Sequence, residues 1–277
     1  MRKSGFVVYS FLNLACLMCI LLLSTAPARS QQYNSDSWIS KAHGTITIIP
    51  TIGQRNAMLM NTFSLFHKWE FTMALYTYND DGDINTDDGH SASLYAKYMF
   101  YENKARTGGA AVKAGTGMFP GTINAEDRND DAFKSYWVNF PCTIPFFDNK
   151  LSWDIMPGAT VTRQYGPDGT TAVGFTYSTR LAYAPWDPRW GLVGEVFGTE
   201  GEVEALPEYK IGIRWEPSQY ATFAFTYGQE FKGNKGAGFE FGIMLFTPPF
   251  ARLGGIGQIF KRKPQTQQSD TEPKPVK

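Results

Sequence analysis

The chain of 277 residues carries 26 basic and 26 acidic side chains, with 43% hydrophobic and 15% aromatic residues and three cysteines. That balance excludes the basic footprint of a nucleic-acid binder and gives no reason to expect a strongly anionic partner; no cofactor is implied. No second long apolar run follows residue 30, which excludes a helical membrane bundle, so the apolar residues must be dispersed in a pattern.

Met1-Arg2-Lys3 opens a short basic region, Phe6 to Leu23 is largely apolar, and Ala26-Pro27-Ala28 offers small residues at cleavage spacing. Residues 1–30 therefore read as a secretory signal peptide. A membrane anchor is the rival reading, since the run approaches the ~18 residues that span a bilayer, but Ser10 and Asn13 interrupt it. A lipoprotein would need a Leu-small-small approach to Cys16 or Cys19, and neither has one. With the leader removed, Cys142 is the only cysteine and no intramolecular disulfide can form.

From residue 31 to 250 the apolar residues alternate. Phe71, Met73 and Leu75 oppose Glu70, Thr72 and Ala74, and Leu94, Ala96, Tyr98 and Phe100 oppose Ser93, Tyr95 and Lys97. Val173, Phe175, Tyr177, Thr179, Leu181 and Tyr183 share one parity against Gly174, Thr176, Ser178, Arg180 and Ala182. The pattern returns at Tyr209 to Trp215, at Phe223 to Tyr227 and at Phe239 to Leu245. Period two is the signature of strands. Segments between turn signals predict about twelve of them, an even number as bacterial barrels require, starting near His43, Ala57, Trp69, Ser91, Gly109, Phe133, Lys150, Thr170, Trp190, Ala205, Tyr220 and Ala237. Prolines flanking Cys142, with Pro157 in the next strand, predict irregular pairing there, and Cys142 shares parity with Phe140 and Ile144 on the apolar face.

Compact turns at His67-Lys68, Asn103 to Thr107, Asp148-Asn149, Trp186 to Pro188 and Pro217 to Gln219 alternate with connections that are mostly longer and charged, such as Thr122 to Asp131. This asymmetry is that of an outer-membrane barrel, with short periplasmic turns and long external loops. Trp69, Trp153, Trp186, Trp190 and Trp215 lie near the compact turns, where an interfacial aromatic girdle belongs. The opposite parity is rich in Gly, Ala, Ser and Thr, sparse in charge for a solvated exterior but suited to a crowded lumen. A secreted β-sandwich with a buried aromatic core is the competing architecture; one unbroken run of strands whose edges must all be paired in lipid argues for closure. The fold class is thus all-β, an antiparallel transmembrane β-barrel. Residues 251–277, with Lys261-Arg262-Lys263 leading into a polar end, read as a disordered periplasmic tail.

Trp190-Gly191-Leu192-Val193-Gly194-Glu195-Val196-Phe197-Gly198, Tyr209-Lys210-Ile211-Gly212-Ile213-Arg214-Trp215, Ala224 to Gly228 and Gly238 to Gly242 carry a resemblance. In their order of strands and turns they resemble the outer-membrane family of the MetA pathway (phenol degradation), often labelled a transporter. The resemblance covers most of residues 43 to 246 and lies in barrel grammar, with no catalytic signature. It implies uptake of phenolic or other small organic compounds. Gly238, Phe241 and Ile243 are also similar to the terminal signal read by barrel assembly machinery, although the chain continues beyond them.

Charges on the lumen parity are predicted at Glu70, Lys97, Lys113, Asp154, Arg180, Glu195, Lys210, Arg214 and Glu240, where they pair with one another or select solutes. A barrel of this size lies between filled eight-stranded and open sixteen-stranded kinds, so a narrow or plugged pore is expected. The loop from Asn79 to His90, NDDGDINTDDGH, sets Asp81, Asp83, Asn85 and Asp87 at calcium-ligand spacing. An EF-type loop also needs Gly at its sixth position and Glu at its twelfth; counted from Asp81 these are Thr86 and Ala92, from Asp83 Asp88 and Leu94. A looser divalent-ion contact is left, and the plainer reading is a solvated external loop. His90 beside Ser91 and Ser93 lacks the spacing of a barrel phospholipase, and Asp87 or Asp88 with His90 is an acid/base pair by adjacency only, so no enzyme is expected.

The reading is a passive channel or transporter in the outer membrane of a double-membraned (Gram-negative) bacterium, for small organic compounds, hydrophobic ones among them. Its partners are outer-membrane lipid, lipopolysaccharide, the solute and the barrel assembly machinery. The alternative is a structural or adhesive barrel with a closed lumen whose external loops bind a partner or lipopolysaccharide.

Overall fold

Alternating side chains on an extended backbone make two faces, and a sheet with one apolar face either packs that face away or curls until it has no edge. The computed structural model describes residues 36–37, 44–78, 89–117, 134–165, 169–203, 205–232 and 236–249. Residues 1–30 and 251–277, read from the sequence as leader and tail, lie outside the described residues, as do Asp81, Asp83, Asn85 and Asp87.

Among the described residues fourteen strands run in chain order: β1 Thr45–Gly53, β2 Asn56–Phe66, β3 Trp69–Tyr78, β4 Gly89–Glu102, β5 Gly109–Gly117, β6 Ser135–Asn139, β7 Cys142–Phe146, β8 Leu151–Ile155, β9 Gly158–Tyr165, β10 Thr170–Tyr183, β11 Trp190–Gly201, β12 Ala205–Ser218, β13 Ala221–Glu230 and β14 Gly238–Phe246. All pair antiparallel in one sheet, and β1 closes on β14 through Thr47 opposite Phe246 and Ile52 opposite Phe241. No helix among the described residues is long and apolar enough to cross a membrane; the crossing is made by strands.

Fourteen segments make twelve wall-crossing strands, because two of these are broken by proline. β6 and β7 both pair with β5, one on each side of Pro141, and β8 and β9 both pair with β10, one on each side of Pro157. A proline has no N–H to give to a ladder. The two breaks lie side by side, and the lost bonds are partly replaced: Phe140 N donates to Pro157 O (2.9 Å) and Ala111 N to Pro141 O (2.9 Å). The irregularity expected around Cys142 is thus a break shared by two neighbouring strands.

The outer face carries Ile48, Ile52, Phe71, Met73, Leu75, Leu94, Val173, Phe175, Ile211, Ile213, Phe225, Phe239 and Phe241, all exposed. So broad an apolar wall belongs in hydrocarbon, and its closed antiparallel form is that of the outer membrane. Trp190 stacks on Trp215 (5.6 Å between centroids) and Trp215 on Phe223 (5.6 Å), while Trp69 meets Tyr98 in a tilted contact (4.8 Å) near one rim. These rings form the aromatic girdle at the end that bears the compact turns 67–68, 103–108, 147–150, 184–189 and 219–220. The ends of β3 and β5 and the starts of β4 and β6, at Tyr78, Gly117, Gly89 and Ser135, lie at the other end.

Candidate functional site: the barrel lumen

The inward parity places Glu70, Lys97, Lys113, Asp154, Arg180, Glu195, Lys210 and Glu240 on the lumen wall, each at most 6% exposed, and Arg214 half-buried near the end with the compact turns. Strand register sorts them into rows. Glu70 stands opposite Lys97, Lys97 opposite Lys113, and Lys113 opposite Asn139. A second row runs Asp154, Arg180, Glu195 and Lys210 across β8, β10, β11 and β12.

The second row alternates in sign, so each cross-strand pair attracts. Arg180 donates from Nε (2.9 Å) and Nη2 (2.7 Å) to Asp154 Oδ2, and the Thr143 hydroxyl donates to the other oxygen of the same carboxylate. Lys210 stands opposite Gly228, and its ammonium reaches past β13 to Glu240 (2.6 Å). Thr226 donates to that carboxylate at 3.1 Å. Arg214 pairs with Glu216 at 2.9 Å.

The first row places two lysines directly opposite each other, which like charges do not tolerate unaided. The missing anion comes from outside the strands. Asp36, 2% exposed, lies inside the barrel and bridges both: 3.0 Å to Lys97 Nζ and 3.5 Å to Lys113 Nζ. Lys97 also meets Glu70 (2.5 Å) and donates to the Ser37 carbonyl (3.3 Å). Lys113 Nζ lies over both of two adjoining rings, Tyr95 (4.9 Å) and Trp137 (5.5 Å), a double cation–π contact. At this level Asp36 and Ser37 occupy the lumen.

Beside the charges runs an apolar lining. Ile49, Met244 and Phe246 cluster on β1 and β14 with Met58 and Met60 packed against them, and Tyr95, Trp137 and Met156 form a second patch. Tyr95 joins the two by donating to Met60 Sδ at 3.4 Å. The barrel interior therefore carries apolar side chains as well as charge.

Asp36, Glu208, Glu216 and Glu230 are buried lumen carboxylates beyond the predicted set. Glu208 shares parity with Lys210 and Glu216 with Arg214, so alternation alone identifies both; Asp36 precedes the first strand and has no parity to read. Ser91 and Ser93 face inward while His90 points outward, so this histidine and these serines lie on opposite faces of β4. Among the described residues no three His, Cys, Asp or Glu side chains are grouped as a metal site.

No protein-family model matches the chain, and no curated protein matches it. Solved structures do. The chain is similar to the crystal structure of an outer membrane channel from Pseudomonas putida F1, with 11% identity over 79% of this chain and 98% of that one and a TM-score of 0.53. It is also similar to the KdgM porin, with 8% identity over 73% of this chain and 98% of that one and a TM-score of 0.50. At these identities the likeness is one of fold.

Proposed function

We propose that this chain is a passive outer-membrane channel or transporter for small organic compounds, including hydrophobic ones such as phenolic compounds, as its resemblance to the MetA-pathway family implies. The observation that carries the reading is the lumen wall: ionic rows and an apolar lining run side by side inside a closed barrel. Such a wall offers a partly hydrophobic molecule a path in which its ring meets Tyr95, Trp137 and Met244 and its polar group meets the charges. Glu70, Lys97, Lys113, Asp154, Arg180, Glu195, Lys210, Arg214 and Glu240 set passage, and no reaction is assigned to the chain.

One observation favours a second reading. The lumen charges are deeply buried and Asp36 stands among them, as a barrel with a closed lumen requires, whose external loops would bind a partner or lipopolysaccharide. Uptake into liposomes separates the two. Reconstituted folded protein is expected to admit small phenolic solutes faster than sugars of similar size, and protein that admits neither would leave the closed-barrel reading.

A further inference from the structure

A groove of about 640 Å³ opens on the outer wall at the end that bears the compact turns, lined by Phe147, Lys150, Leu151, Leu181, Tyr183, Leu192, Val193 and Gly194. Its floor follows from register. Gly194 lies opposite Leu181, and Leu192 opposite Tyr183, which in turn faces Leu151 across β8 and β10. A Cβ built on Gly194 meets nothing within 4 Å, so the missing side chain leaves open space between flanking leucines.

The wall above this floor is held at a cost. Phe147, Asp148 and Asn149 all have left-handed backbones (φ 50°, 54° and 68°), a conformation Asp and Asn tolerate and a phenylalanine does not favour. The Phe147 ring is 73% exposed and lines the groove. Left-handed residues are ordinary in a tight hairpin turn such as this one between β7 and β8, but a phenylalanine among them is not. Lys150, exposed at the end of the same turn, sets a cation at the rim, at the level of Tyr183 and Trp186 in the interfacial belt.

The geometry points to a binding site for one phospholipid of the periplasmic leaflet. One acyl chain lies over Gly194 between Leu181, Leu192 and the Phe147 ring, and the phosphate rests on Lys150. The charge at the rim and the apolar floor beneath it complement such a lipid in that order, from headgroup to chain. Lipopolysaccharide belongs to the opposite leaflet, away from the compact turns.

The test is native mass spectrometry of the folded, detergent-extracted full chain titrated with phosphatidylglycerol, diacylglycerol or lipid A. The parent is expected to retain one phosphatidylglycerol. Gly194→Leu should cut the lipid-bound fraction about five-fold or more for both glycerolipids, and Lys150→Gln should bring phosphatidylglycerol down to the level of diacylglycerol. Phe147→Gly is the arm that a merely structural role would not move: it relieves the left-handed strain and should keep or raise the unfolding midpoint while lowering retention. Gel mobility of unheated against boiled samples verifies folding, and if Gly194→Leu does not fold, Lys150→Gln and Phe147→Gly decide. Equal retention by the parent and the folded variants, or preference for lipid A, would overturn the site.

Discussion

Arg180 shows how much the lumen asks of single residues. Its guanidinium is buried between Asp154 and Glu195 on the neighbouring strands, and Asp154 accepts two of its N–H groups. Removing one member of a buried pair leaves a charge uncompensated and costs about 3–5 kcal/mol. Asp154→Ala is therefore expected to lower the urea midpoint of the folded barrel sharply, and an unchanged midpoint would show that water in the lumen already compensates Arg180. Gly158 acts by absence. It stands between Asn139 and Thr176 in register, and Thr176 Oγ1 reaches across it to donate to Asn139 Oδ1 at 3.0 Å. A Cβ at Gly158 would collide with Asn139 Oδ1 and the Val138 carbonyl. Gly158→Ala is expected to destabilise by roughly 1–3 kcal/mol through overpacking, read as a lower midpoint in the same urea titration. Parity alone reveals that Arg180 faces inward; that Gly158 must stay bare depends on what stands on its two neighbours, which no local pattern carries.

For whole strands the deciding quantity is which face meets lipid. Phe225 lies in mid-strand on β13 and is 53% exposed, whereas Phe231 follows the strand's end and is 59% exposed. Equal exposure in water would make the two equivalent. In a bilayer a lysine costs about 2–4 kcal/mol at the midplane and about 0–1 kcal/mol near the interface. Phe225→Lys should therefore destabilise the barrel in liposomes far more than Phe231→Lys, and similar losses at both would contradict the depth assigned to β13. The strands were legible because period-two alternation is local: strands predicted to start at Trp69, Gly109, Thr170, Trp190 and Ala205 begin there. The breaks at Pro141 and Pro157 were visible only as proline. Which halves pair with which, β6 with β9 and β7 with β8, is settled by neighbours far along the chain.

Across the whole molecule, closure of β1 on β14 turns a row of inward residues into a lumen. The element that fills part of it is not a strand. Lys97 and Lys113 face each other across β4 and β5, and Asp36 from the chain before β1 lies between them. Nothing in the alternation of residues 44–246 points to Asp36, because its place is defined by two lysines it meets only after the barrel has closed. Without its carboxylate the two ammonium groups repel and residues 36–37 lose their ionic hold on the wall.

The channel reading is therefore tested most directly by single-channel conductance in planar bilayers, parent against Asp36→Ala, with folding verified by gel mobility. The account predicts a small conductance for the parent and a clearly larger, more anion-selective one for the variant. Folded protein that conducts in neither form would contradict it.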